Sequence, residues 1–486
     1  MHLDLDGNGA LHAQLTRALK SAIDAQRIET GARMPSTRDM AALLGLSRNT
    51  VKSAYEQLIA EAYLRGVPGS GSFVLARTVQ PARRTPARAK IAPQSAFARR
   101  LRSEVQNIGF HEGLRFNLQY GAPLHDPVAI DAWRRALTYA ASRTPIGYPP
   151  LQGLPVLRAA LADYLRRRRG IDCEAGQIMI VSGTQQALSL SARVLLDPHD
   201  TVLLEEPSYF GARHVFATHG CTLRTVRTDA EGLVTDELPE TAPKLLFVTP
   251  THQFPSGRLM SAARRAALLA YAERHQCWIV EDDYDSEFRY SGQPVAALKA
   301  SDQGDRVIYV GSFSKTLSPS LRLGYMVLPQ ALRRDYVAAR YVMDLGGPAI
   351  EQAAMARYLA SGAFERHLRR TVQATGLRRA SLLQGLARHG HGMFEVDDAG
   401  AGMHVVAWMR GTSHAQCGAF IELASARGLG LHPIAPHYSR RPKAAGLLLG
   451  YAALAPAEID AAMQLLGRCM AAAFKAGVLA RPPVAT

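Results

Sequence analysis

Four short apolar runs, TVLLEEP (201–207), KLLFVTP (244–250), CWIVEDD (277–283) and RVIYVGS (306–312), recur through the middle of the chain, and each closes in polar residues. Amphipathic stretches such as SAARRAALLAYAERH (261–275) fall between them. Apolar runs too short for helices, alternating with helical segments, point to a largely parallel sheet covered by helices. Ligands on such sheets bind beyond the carboxyl ends of the strands. Here those ends carry Glu205 and Glu206, Thr249, Asp282 and Asp283, then Ser312, Ser314 and Lys315.

At 486 residues, with 47% apolar and 20% charged residues, the chain exceeds what one core serves, and at least two domains are expected. No segment approaches the roughly 18 uninterrupted apolar residues of a membrane span. The opening MHLDLDGNGA lacks the basic and apolar regions of a secretory signal, so a cytoplasmic protein without a membrane partner is expected. Five cysteines, at 173, 221, 277, 417 and 469, are scattered and odd in number, which indicates neither a disulfide framework nor a metal site.

The net charge of +16 is unevenly placed. Residues 1–75 carry eight Lys/Arg and seven Asp/Glu, whereas residues 76–110 carry eight Lys/Arg against Glu104 alone. That second segment, rich in Pro, Ala and Arg, reads as a basic linker over residues 77–112. Its charge either keeps a tether in solution or also touches DNA phosphates.

Ahead of the linker, residues 1–76 show three short helices and a hairpin. Leu11, Leu15, Ala18, Leu19, Ala22 and Ile23 recur at helical steps. Ser36, with Asp39 three positions on, and Ser47 each start a further helix, and Gly45 separates the two. In the last helix Val51, Ala54, Tyr55, Leu58 and Ile59 form the apolar face, which leaves Arg48, Asn49 and Lys52 on the polar one. Arg and Asn at the start of a helix suit base edges in a major groove. Gly66, Pro68, Gly69 and Gly71 then allow a tight turn between strands around Val67 and 73–75, completing a winged helix-turn-helix. The run MPSTRDMAALLGLSRNTVKSAYEQLIAEAYLRGVPGSGSFV resembles the GntR-type winged helix. The resemblance implies contacts to double-stranded operator DNA from Arg38, Ser47, Arg48, Asn49, Thr50 and Lys52, with Arg33 and the wing glycines as phosphate neighbours.

Lys315 lies in GSFSKTLSPSLRLGY (311–325), flanked by hydroxyls, with Arg322 seven positions on. A lysine at a strand end can hold a carbonyl cofactor as a Schiff base once its amine is neutral. Pyridoxal phosphate also needs a carboxylate for its ring nitrogen, donors for its phosphate and an aromatic ring to stack on. Asp282, the pair Ser312 and Arg322, and Tyr209 are candidates, and SGTQQALSL (182–190) supplies a small-residue turn opening a helix.

This order of residues, with GYPPLQGLPVLRAALADYL, SGTQQAL and VEDDYDSEF, resembles the fold-type I pyridoxal-phosphate-dependent aminotransferases over residues 113–486. The implied fold is α/β, with a large parallel or mixed sheet domain and a smaller α+β C-terminal part. By the same resemblance Lys315 would form the internal aldimine, Asp282 would face the pyridine nitrogen and Tyr284 the phenolic oxygen. Thr184, Gln185, Ser312 and Arg322 would hold the phosphate, and Tyr148 would reach it from the other subunit of a homodimer. A GntR-like head on an aminotransferase-like body resembles the MocR subfamily of bacterial transcription regulators, which act as head-to-tail dimers.

Two positions depart from the enzymes. Phe254 stands where aminotransferases commonly carry an asparagine, and in GLLLGYAAL (446–454) Leu448 falls where they place the arginine that clamps a substrate carboxylate. Arg213, Arg440 and Arg441 are alternatives for that clamp. Two functions follow: a regulator that senses pyridoxal phosphate or an amine or amino acid joined to it, or a working aminotransferase with an appended DNA-binding domain.

Overall fold

The computed structural model describes residues 3–75, 94–104, 113–145, 147–397 and 399–481. The chain divides into two units, residues 1–93 and 94–486. Most of the segment read as linker lies outside the described residues.

The first unit has three helices, α1 (Leu11–Asp24), α2 (Thr37–Leu44) and α3 (Arg48–Ala60), then strands β1 (Leu64–Val67) and β2 (Gly71–Val74). Both expected caps form: the Ser36 hydroxyl accepts from the Asp39 amide and the Ser47 hydroxyl from the Thr50 amide, at 3.2 and 3.1 Å. Leu15, Leu19, Val51, Ala54 and Leu58 fill the core completely. Leu11 and Ile59, expected inside, are 50% and 41% exposed. Each sits at the end of its helix, where the apolar stripe runs past the core. The wing strands pair antiparallel, Leu64 opposite Val74, and residues 31–34 add backbone bonds to β2 from its other side.

The second unit opens with a helix, α4 (Ala96–Glu104), inside the stretch read as linker. Phe97 and Leu101 share one of its faces, and Arg100 donates to the carbonyls of Thr218 and His219. The Ala/Arg-rich composition that suggested a tether is equally a strong helix-forming composition.

The large sheet and its helices follow as β3 (Ile178–Val181), α5 (Thr184–Leu195), β4 (Thr201–Glu206), α6 (Phe210–His219), β5 (Thr222–Asp229), β6 (Gly232–Leu233), β7 (Leu245–Val248), β8 (Trp278–Asp283), β9 (Val307–Ser312) and β10 (Gly324–Val327). The strand order is β3-β10-β9-β8-β7-β4-β5-β6. Strands β9, β8, β7, β4 and β5 run parallel, and β10 is antiparallel to both its neighbours. The four apolar runs read from the sequence are β4, β7, β8 and β9, sealed on both faces as parallel strands require. A smaller antiparallel sheet of β11 (Phe394–Asp397), β12 (His404–Met409) and β13 (Gly446–Gly450) packs under its own helices. Among the described residues no helix is long and apolar enough to cross a membrane.

Leu58 is fully buried in the small first core, so Leu58→Ala is expected to cost about 2–5 kcal/mol there. Trp133, Trp278 and Trp408 all belong to the second unit. Circular dichroism should therefore show an early helical transition in this variant, while the tryptophan fluorescence transition stays at its wild-type temperature.

Candidate functional site

Because the strands run parallel, their carboxyl ends open on one side of the sheet, and a cavity of about 880 Å³ lies there. Eight residues singled out from the sequence line it: Thr184, Gln185, Tyr209, Asp282, Tyr284, Ser312, Lys315 and Arg322. Tyr148 does not, and it is 86% exposed.

One end of the cavity is built for an anion. Strand β3 stops at Val181, and Gly183 (φ 94°, ψ 179°) turns the chain into α5 through a conformation that side chains rarely adopt. The first amides of α5 have no intrahelical acceptor and carry the positive end of the helix dipole. Arg322 donates to the Ser182 carbonyl at 2.5 Å, which sets a guanidinium at the same turn. Ser312 closes this end: its hydroxyl donates to the Ser314 hydroxyl at 3.0 Å and accepts from the Ser314 amide at 3.1 Å.

Beside this end lies a row of acids. Asp282, next to last in β8, is buried and accepts from the Thr184 hydroxyl at 3.2 Å; burial pushes its carboxyl up to about 7. Tyr284 and Asp285 both meet His252, at 2.8 and 2.9 Å from its Nδ1. Burial raises the Asp285 carboxyl as well.

Lys315 follows the end of β9, and its Nζ donates to the Gly121 carbonyl at 2.8 Å. Gly121 has φ 77°, and a side chain there would come within 2.7 Å of that nitrogen, so only glycine leaves the amine room. Burial lowers the lysine's pKa, while Asp285 and Asp282 oppose the shift. The amine is therefore closer to its neutral, nucleophilic form than an exposed lysine would be.

Tyr209 caps the start of α6, and its hydroxyl accepts from Gln185 Nε2 at 3.0 Å. Its ring meets Phe254 edge-on at 5.9 Å. Phe254, in the asparagine's place, is buried and packs with Val406, Ile434 and Leu448. Leu448, on β13, is wholly buried in that cluster. None of the three arginines considered as substitutes lines the cavity. Arg213 donates to the carbonyls of His437 and Tyr438 at 3.0 Å each, and Arg440 and Arg441 are exposed.

Sequence reasoning passed over Gly121, His252, Asp285, His404 and His437. Asp285 and His252 stand inside motifs that were visible, EDDYDSEF and THQFPSGRLMS. The other three carry no local signal, because tertiary packing alone brings them to the cavity or its wall.

In the head, Arg38, Ser47, Arg48, Asn49 and Lys52 are all exposed, with Thr50 partly so, at the starts of α2 and α3. The Ser47 hydroxyl is engaged by its cap and lies 2.8 Å from the Thr50 hydroxyl. Lys52 pairs loosely with Glu56 at 3.7 Å, both exposed, an interaction that a phosphate readily displaces.

Two family models match the chain: the gntR family of bacterial regulatory proteins over residues 11–74, and the class I and II aminotransferases over residues 115–464. They define a DNA reader joined to a body of aminotransferase fold. "Probable rhizopine catabolism regulatory protein MocR" of Rhizobium meliloti is 35% identical over 486 residues, spanning 98% of this chain and 97% of its own. The HTH-type pyridoxine biosynthesis transcriptional regulator PdxR of Corynebacterium glutamicum is 34% identical over 366 residues, 74% of this chain and 75% of its own. Among solved structures, the kynurenine aminotransferase of Pyrococcus horikoshii matches with a TM-score of 0.69 at 27% identity, covering 81% of this chain and 97% of that one. The chain belongs to the MocR-type transcriptional regulators of the GntR family and is a DNA-binding regulator.

Only a neutral amine attacks an aldehyde, and a lowered lysine pKa moves the neutral fraction's rise to lower pH. The rate at which the protein captures pyridoxal phosphate should therefore climb with pH and level off below the range of free Nα-acetyl-lysine. Stopped-flow absorbance across pH 6 to about 10 checks this, and a profile matching the free amine would contradict the buried environment of Lys315.

Proposed function

We propose that this regulator binds pyridoxal phosphate at Lys315, acts as a head-to-tail homodimer in the cytoplasm, and alters its grip on operator DNA when the cofactor, or an amine joined to it, occupies the cavity. The observation that carries this reading is a partly desolvated lysine amine beside Asp282 and Asp285, in a cavity that also holds an anion cradle. The donor set suits the cofactor. The α5 amides, that of Thr184 included, with Ser312 and Arg322 would take its phosphate, Asp282 its ring nitrogen, and Tyr209 its ring face.

When bound, pyridoxal phosphate supplies an aldehyde that amines can join. The protein's residues supply the rest. Burial around Lys315 keeps the nucleophile short of protons. Thr184 holds Asp282 in place while α5 faces the phosphate. Tyr284, steadied by His252, is a donor for a phenolic oxygen. The exposed Tyr148 supports the homodimer reading, since a large bare ring suits burial by a second copy. Coupling to DNA requires that the ligand favour one of two arrangements of the protein.

The second reading, a working aminotransferase, draws on the same donor set, which is complete for cofactor chemistry. Leu448 argues against it, since an amino-acid substrate loses its bidentate anchor.

Borohydride reduction should fix pyridoxal phosphate to the wild-type chain and leave Lys315→Ala unlabelled by mass spectrometry. Operator affinity of wild type should change by about 5- to 150-fold between cofactor-free and loaded protein, and that of Lys315→Ala should not. Equal affinities for wild type would remove the sensor reading. Sustained keto-acid formation from a panel of amino acids would establish the enzyme instead.

For the head, Arg48→Ala and Asn49→Ala should each lower the preference for operator over random DNA by about 1–3 kcal/mol, measured as the ratio of the two dissociation constants. Equal weakening on both DNAs would assign these side chains to phosphates.

A further inference from the structure

We propose that the effector read by this cavity is a primary amine with an uncharged body and no carboxylate. The proposal rests on the cofactor reading above and names the ligand class of the same site.

The placement of positive charge decides the matter. Among the described residues, the Lys and Arg side chains lining the cavity are Lys315, Arg193 and Arg322. Lys315 is the group that holds the cofactor. Arg322 sits at the Ser182 carbonyl, at the anion cradle. Arg193 lies on α5, nine residues beyond Thr184, about 13 Å further along that helix. Of the two guanidiniums Arg322 belongs to the phosphate end, whereas Arg193 is exposed in the last turn of α5.

The other wall carries rings and apolar groups. Phe254 stands at its centre, with Tyr120, Tyr284, His404 and His437 at centroid distances of 6.0, 5.6, 5.5 and 4.9 Å. Leu448, Ile434 and Val406 back it. The imidazoles there carry no charge: burial, with help from neighbouring positive groups, brings His404 and His437 down to about 3. Arg213, the nearest guanidinium behind this wall, is engaged by two backbone carbonyls. A carboxylate brought here would be desolvated with no Lys or Arg among the described residues of this wall to meet it.

What the wall offers instead is edge-to-face packing for a ring and polar contacts from uncharged groups, His404 among them. His404 Nε2 lies 3.0 Å from the Pro255 carbonyl, an acceptor, so that nitrogen carries the hydrogen. Nδ1 is then an acceptor on a cavity-lining residue, suited to a hydroxyl. An aralkylamine or an amino alcohol fits both features.

Exchange on the cofactor needs no oxidant or reductant. The incoming nitrogen forms the double bond to the aldehyde carbon as the bond to Lys315 breaks, and the two hydrogens it gives up restore the lysine amine.

The test uses the full-length protein loaded with pyridoxal phosphate and two matched probes, 2-phenylethylamine and L-phenylalanine, which differ by one carboxylate. The change in the cofactor's absorption band is titrated, and Lys315 release is read as loss of borohydride-fixed cofactor on the chain. Phenylethylamine should half-saturate at a concentration at least about tenfold lower than phenylalanine. In Leu448→Arg the gap should narrow or reverse. Should that variant misfold, the wild-type ratio alone decides. Equal potency, or preference for phenylalanine, overturns the proposal. If neither amine, nor ethanolamine, releases Lys315 while borohydride still fixes the cofactor, the amine class is wrong and the cofactor reading stands. If no cofactor is fixed at all, the cofactor reading itself has failed.

Discussion

The site depends on keeping a lysine amine out of water without losing it to a permanent ion pair. Lys315 faces Asp282 and Asp285, yet burial outweighs both carboxylates and lowers its affinity for protons. A fully solvated lysine would stay charged, and one locked in a short salt bridge would be unavailable. The intermediate state arises because the two aspartates are themselves desolvated and raised, and have other partners, Thr184 and His252.

That arrangement sets five acids within seven residues of the run VEDDYDSEF, where the charge of Asp283 raises the other four, so each needs a partner of its own. Alternation along β8 sets Asp282 on one face and Glu281 and Asp283 on the other, and the strand ends before Asp285 and Glu287. Glu281 turns to the far side of the sheet, where it accepts the amides of Leu298 and Lys299. Asp283 meets Arg169 at 2.6 Å and the Tyr309 hydroxyl at 2.6 Å, and Glu287 takes the Tyr164 hydroxyl at 2.8 Å. Arg169 is almost wholly buried at the end of its helix and donates also to Thr251 and the Val295 carbonyl. Removing it would leave several carboxylates in a dry interior, a large destabilisation far from the ligand.

Much of this was legible in the residues. The four apolar runs became four adjacent strands because continuous apolarity is what double-sided burial demands, and Ser36 and Ser47 capped helices because their side chains satisfy amides that the helix cannot. Asp282, Ser312 and Lys315 are legible through their place at strand ends, Arg322 through its spacing from Lys315, and Thr184, Gln185 and Tyr284 through the resemblance to aminotransferases. Less legible was whatever depends on distant packing. Strand β10, short and antiparallel among parallel neighbours, follows a loop whose sequence says nothing of its direction. His404 and His437 are ordinary histidines until the fold seals them. Helix α4 was read as tether because the arginines dominated, although Phe97 and Leu101 already stood one helical turn apart.

Arg100 ties α4 to the carboxyl end of α6, the helix that Tyr209 caps. This described part of the segment read as linker is thus moored rather than loose. A pull on α4 is resisted at that mooring, at the far end of α6 from Tyr209.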